Sequence, residues 1–85
     1  MIKVIKFSKN GCRPCATLSN VLHEVDFHHN NAFLVEINVS LFPELIEKYN
    51  LSSVPVLVFE KDGKEVSRIN GLTDADTIID MLRSL

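Results

Sequence analysis

Long apolar runs are missing from this 85-residue chain, and so is any excess of positive charge. Nowhere do about 18 apolar residues follow one another, the minimum for a membrane-crossing helix. Met1 leads straight into a strand-like run, without the charged, apolar and cleavage regions of an export signal, so a cytoplasmic protein is expected. Nine basic residues against eleven acidic ones give a net charge of −2 and contain no basic tract, which argues against nucleic acid or an anionic membrane surface as partner. There is no repeat, linker or low-complexity segment, and the length allows one small domain, residues 1–85. Cysteine is scarce as well. With two cysteines and no second pair, ligand count argues against a four-ligand metal site within the chain.

What is present is concentrated in Ser8-Lys9-Asn10-Gly11-Cys12-Arg13-Pro14-Cys15. Both cysteines sit here in a Cys-x-x-Cys spacing, after a β-rich run and before a helical one. Residues three apart on the first turn of a helix lie close to the separation a disulfide demands, so the pair can open and close with little backbone movement. A thiol at a helix N-terminus faces unpaired N–H groups and the positive end of the helix dipole, both of which favour the thiolate. Cys12 is therefore assigned as nucleophile, and Cys15, one turn in and less exposed, as the resolving thiol. Pro14 suits a first helical turn because no hydrogen bond is lost there.

Along the chain, Ile2–Phe7 reads as a buried strand, and Cys15, Leu18, Leu22 and Val25 form a helical stripe ending near Asp26. His28–Asn31 reads as a loop, and Ala32–Val39 as a second strand parallel to the first. Pro43 opens a short helix in which Leu45, Ile46 and Tyr49 share a face, closed by Asn50. Pro55–Glu60 and Glu65–Asn70 flank Lys61-Asp62-Gly63-Lys64 as an antiparallel hairpin. Gly71 breaks the second hairpin strand, Thr73 is the expected N-cap of a last helix, and Ile78, Ile79, Met81, Leu82 and Leu85 are its inward face. The order β-α-β-α-β-β-α gives an α/β fold, a mixed four-stranded sheet with helices on both faces and the first strand central.

On these residues the chain resembles the thioredoxin family over essentially its whole length. Phe7–Cys15 is similar to the family's strand-to-active-site run, Ser53–Phe59 to its Val-Pro strand start, Lys61–Lys64 to its hairpin turn, and Asn70-Gly71-Leu72 to the glycine before its last helix. The resemblance implies a thioredoxin-like fold and a thiol–disulfide oxidoreductase that reduces protein disulfides without a bound cofactor; a monomer is expected. It implies that Pro55 is cis and lies against the disulfide, and that the backbone of Val54, with Gly71 nearby, binds an extended client segment. It also implies a flavin-dependent thioredoxin reductase as electron source and ribonucleotide reductase, peroxidases or sulfoxide reductases as clients. A glutaredoxin-like protein recycled by glutathione is the alternative, with Gly71–Asp74 at a helix N-terminus to receive the carboxylate. A metal or iron–sulfur carrier that shares its thiols between two chains is a weaker one.

Three departures from the family pattern bear on chemistry. The first strand and helix of full-length thioredoxins have no counterpart in the chain, so Ala32–Val39 is expected at a sheet edge. Gly11 replaces the tryptophan before the nucleophile, and Arg13 stands between the cysteines, where its charge should favour the Cys12 thiolate. Lys6 stands where the family carries a buried aspartate, and Glu36 where it carries a lysine. Lys6 and Glu36 are expected to pair with their signs exchanged, near Cys15, because mid-strand charges rarely stay buried alone.

Overall fold

A computed structural model describes residues 1–85 and contains seven elements: β1 (Ile2–Ser8), α1 (Arg13–Leu22), β2 (Ala32–Asn38), α2 (Glu44–Lys48), β3 (Val56–Lys61), β4 (Lys64–Asn70) and α3 (Ala75–Ser84). The four strands form one sheet in the order β2-β1-β3-β4. β1 runs parallel to β2 and antiparallel to β3, so the strand that feeds the cysteines is interior and hydrogen-bonded on both sides. This is the expected mixed sheet. β2 lies at its edge, also as expected.

Alternation along β1 divides the core in two. Ile2 and Val4 point to the side where Leu18 and Leu22 of α1 and Ile78 and Leu82 of α3 pack, together with Leu57 and Phe59 of β3. Ile5 and Phe7 point to the other side, with Val39, Val56 and Val58, where Leu45, Tyr49 and Leu51 cover them. The Phe7 and Tyr49 rings meet at 4.8 Å between centroids with planes inclined by 51°, a tilted aromatic contact that anchors the α2 region under β1. A hydrophobic face on each side of one sheet thus receives helices from both sides.

Several boundaries differ from the sequence expectation. α1 ends at Leu22 and not near Asp26; Val25 is still buried, but from a turn that the N–H groups of Glu24 and Val25 make with the Val21 and Leu22 carbonyls. The stripe periodicity tracked burial correctly and helix length incorrectly. Ile46 does not share the inward face with Leu45 and Tyr49, being 41% exposed; Leu45, Tyr49 and Leu51 cover the sheet there. The N-cap of α3 is Asp74 and not Thr73: Asp74 Oδ1 accepts from the Thr77 N–H at 2.8 Å. That carboxylate lies at the positive helix end, which holds its pKa below the ordinary value through the Thr77 hydrogen bonds. The hairpin turn is the expected one, centred on Asp62 (φ 55°) and Gly63 (φ 80°), with the strands running on through Lys61 and from Lys64. Left-handed backbone at both positions is what a two-residue hairpin connection demands.

Candidate active site

The site grows from the C-terminal end of β1. The chain leaves Ser8 and is pinned to the end of β2 by a polar clamp. Asn38 Nδ2 donates to Asn10 Oδ1 (2.7 Å), the Asn10 N–H donates to Ser40 Oγ (3.1 Å), and the Ser40 N–H donates to Asn38 Oδ1 (2.9 Å). The Val39 N–H also donates to the Ser8 carbonyl at 2.8 Å. Gly11, at φ 69°, then turns the chain into Cys12. A side chain there would be strained by the backbone alone.

Cys12 is the N-cap of α1. Its backbone is extended, and its Sγ accepts a hydrogen bond from the Cys15 N–H at 3.1 Å, the role a serine or aspartate oxygen plays in an ordinary cap. Arg13 and the exposed Pro14 form the first helical positions, and no acidic residue lies in that turn to oppose the dipole. Cys12 and Cys15 are joined in a disulfide with Cα atoms 5.3 Å apart. Cys12 is half-buried, whereas Cys15 is 4% exposed and sits on the α1 stripe with Leu18 and Leu22. The asymmetry is the one expected of an accessible and a sheltered sulfur.

Lys6 and Glu36 are cross-strand partners in the parallel β1–β2 register. Lys6 Nζ lies 3.6 Å from Glu36 Oε1, so the pair with exchanged signs forms. The partners are unequal: the lysine side chain is 4% exposed and the glutamate 56%. Lys6 Nζ also donates to Ser19 Oγ, and that hydroxyl donates on to the Cys15 carbonyl at 3.3 Å. Ser19 was not singled out from the sequence; its signal was a small polar residue four positions after Cys15 beside an apolar stripe. Lys6, Ser19, Glu36 and both cysteines line one open cleft.

The register also carries the proline loop to this end of the molecule. Val56 pairs with Phe7 and with Asn70, so Pro55 and Gly71 lie just beyond the end of the sheet from which the cysteine loop leaves. The Val54–Pro55 peptide bond is cis and Pro55 is buried, and the Gly71 N–H donates to the Pro55 carbonyl at 2.8 Å. Neither the N–H nor the carbonyl of Val54 is taken up by another backbone group. Beside it Val39, Ile46, Leu51 and Val54 line a groove of about 170 Å³, edged by Lys9 and Ser53. No three His, Cys, Asp or Glu side chains gather where they could hold a metal ion.

The thioredoxin family model matches residues 1–84. Thioredoxin of Chlamydia caviae is 35% identical over 79 residues, spanning 93% of this chain and 78% of that protein. The chain belongs to the thioredoxin family. Among solved structures, a mutant thioredoxin of Halobacterium salinarum NRC-1 superposes with a TM-score of 0.83 at 29% identity, covering 98% of this chain and 73% of that one. The malaria parasite thioredoxin-2 gives 0.91 at 15% identity, covering 100% and 84%, a likeness of fold. Family and disulfide together make the protein a thiol–disulfide oxidoreductase, the activity thioredoxins carry out on disulfide-containing substrates. No helix is long and apolar enough to cross a membrane.

Proposed function

We propose that the protein acts in the reducing direction on disulfides of client proteins, with Cys12 as nucleophile and Cys15 as resolving thiol. The observation that carries this reading is the sulfur of Cys12 standing as the cap of α1, half-exposed, with its partner sheltered one turn behind it. The Cys12 thiolate attacks a client disulfide, forming a Cys12–client bond and releasing one client sulfur as a thiolate that takes a proton from solvent. Cys15 then attacks Cys12 Sγ, closing the internal disulfide and freeing the second client sulfur. Two electrons pass to the client. Thioredoxin reductase, acting on the half-exposed Cys12 sulfur, restores the dithiol.

Client binding falls to the proline loop. The unengaged backbone of Val54 is suited to pair with an extended segment, and main-chain pairing is indifferent to client sequence. Arg13, exposed beside the nucleophile, adds to the dipole in favouring the Cys12 thiolate. Recycling by glutathione draws less support. The N-terminus of α3, where its carboxylate would dock, already holds the Asp74 carboxylate on the Thr77 N–H, with Asp76 in the same turn.

Reduction of a protein disulfide such as that of insulin, supplied in parallel with NADPH and thioredoxin reductase or with glutathione and its reductase, tests the whole reading. Turnover is expected from the first supply. Cys12→Ser should abolish it, and Cys15→Ser should accumulate a covalent client adduct visible by mass spectrometry. Sustained turnover by Cys12→Ser would overturn the assignment of roles.

A further inference from the structure

We propose that Lys6 is a positioning residue that readies Cys15: its buried ammonium, held by Ser19 and Glu36 in the cleft shared by both cysteines, favours the Cys15 thiolate. The proposal rests on Cys15 being the resolving thiol. Cys12 is served by the helix cap and dipole, but Cys15 lies one turn further in and is almost excluded from water. Burial alone disfavours a thiolate and would slow the step that releases the client. The site therefore needs a second source of positive potential.

Lys6 is the only charged or polar side chain among the 18 buried residues. An ammonium has three protons to donate. Ser19 takes one, and Glu36, at 3.6 Å, is beyond ordinary N–H···O hydrogen-bond range and reaches in from a half-exposed position. Ser19 spends its own proton on the Cys15 carbonyl, which ties the ammonium to the turn that carries the resolving sulfur. So incomplete a pairing is an unusual setting for a buried charge. In the disulfide form neither sulfur carries charge. When the bond opens, Cys15 Sγ can carry a full negative charge in the same cleft, completing what Glu36 leaves undone.

The surrounding charges agree with this sign. From β2 the group facing Lys6 is Glu36, which opposes it, and from β3 it is the uncharged Leu57. From the cysteine loop and α1 the remaining charged groups in the cleft are Lys9 and Arg13, both positive, along with the two thiols. Cys15 gives its proton to solvent through the open cleft. Its thiolate attacks Cys12 Sγ, the Cys15–Cys12 bond forms, the Cys12–client bond breaks, and the client leaves as a thiolate that is protonated by solvent. Lys6 moves no proton; it lowers the energy of the attacking anion.

The test is a pH titration of Cys15 in the full chain carrying Cys12→Ser, followed by the ultraviolet absorbance of the thiolate. Adding Lys6→Met should shift the profile to higher pH and leave about tenfold less Cys15 thiolate near neutrality, the low end of what one opposite charge produces because Glu36 already cancels part of it. Adding Glu36→Gln should shift it the other way. Glu36 is exposed, so this variant remains informative if Lys6→Met folds poorly. Opposite shifts with these signs support the proposal. An unmoved profile in either variant, or a shift of the other sign, overturns it. Turnover by Cys12→Ser itself would instead overturn the assignment of thiol roles and leave the Lys6 result standing.

Discussion

Leu18→Ala is the sharpest test of how α1 is seated. Leu18 is completely buried and packs in a cluster with Val4, Leu57, Phe59 and Ile78, each of them likewise closed to solvent. It is also one turn from Cys15, on the stripe that holds the cysteine helix to the sheet. Truncating a buried leucine removes its transfer free energy and leaves a cavity, together roughly 2–5 kcal/mol. The sheet cannot collapse into this cavity, because β1 and β3 are locked in register, which excludes the low end. α1 has only ten residues and can slide inward, which excludes the high end. About 3 kcal/mol is therefore expected. For a domain of this size each kcal/mol moves the midpoint by about 4–8 °C, so Tm should fall by about 12–24 °C. Thermal unfolding followed by circular dichroism measures it, with Leu41→Ala, 69% exposed, as the control expected to stay within about 0.5 kcal/mol. A Leu18→Ala midpoint within about 4 °C of the parent would refute the claim that this stripe seats the active-site helix.

Two further predictions concern pH. Asp74 has its carboxyl pKa lowered by the bonds to Thr77, so its contribution to α3 is complete above the ordinary aspartate range and is lost as pH falls through the depressed value. Asp74→Asn keeps a capping oxygen but does not titrate, and its Tm should drop less than the parent's on acidification below about pH 4. Tyr49 has its phenol pKa raised, first by burial and then by its hydrogen bond to Glu60. A raised acid stabilises the fold below the unfolded value and stops doing so as pH climbs through the folded one, so Tyr49→Phe should flatten the alkaline loss of stability above about pH 10. A parent and variant with parallel alkaline profiles would count against this.

Much of the architecture was legible because local signals agreed. β1 is apolar and β-branched, Asp62-Gly63 is a hairpin turn, and Cys12-x-x-Cys15 with Pro14 opens a helix; each places a residue type where its backbone preference is satisfied. What was not legible depended on contacts between distant segments. The Asn10–Asn38–Ser40 clamp joins residues 28 to 30 positions apart, and neither Asn38 nor Ser40 belongs to a recognisable motif. Ser19 gained its role only because β1 places Lys6 beneath it. Thr73 and Asp74 are both good caps, and the choice between them turns on where the chain leaves Gly71. Ile46 satisfies helical spacing yet stays outside, since periodicity says which residues share a face and not how wide a face the sheet can cover.

The location of residue 6 follows from the sheet, and its chemistry does not. Even-numbered side chains of β1 face α1, and β1 is interior, so whatever stands at position 6 lies beneath Ser19, one turn past Cys15, with a cross-strand neighbour at position 36. The fold thus supplies a buried seat in the cleft that both sulfurs line. A lysine in that seat works through its field, because it is a donor that has nothing to accept until it loses its own proton. On the proposal made above, client release depends on the standing balance between one buried ammonium and one exposed carboxylate. Because Glu36 is open to solvent, that balance is the part of the site that salt and neighbouring charge can reach, whereas the dipole serving Cys12 is built into the helix. Rising ionic strength should accordingly weaken the hold of Glu36 on Lys6 more than it affects the cap at Cys12.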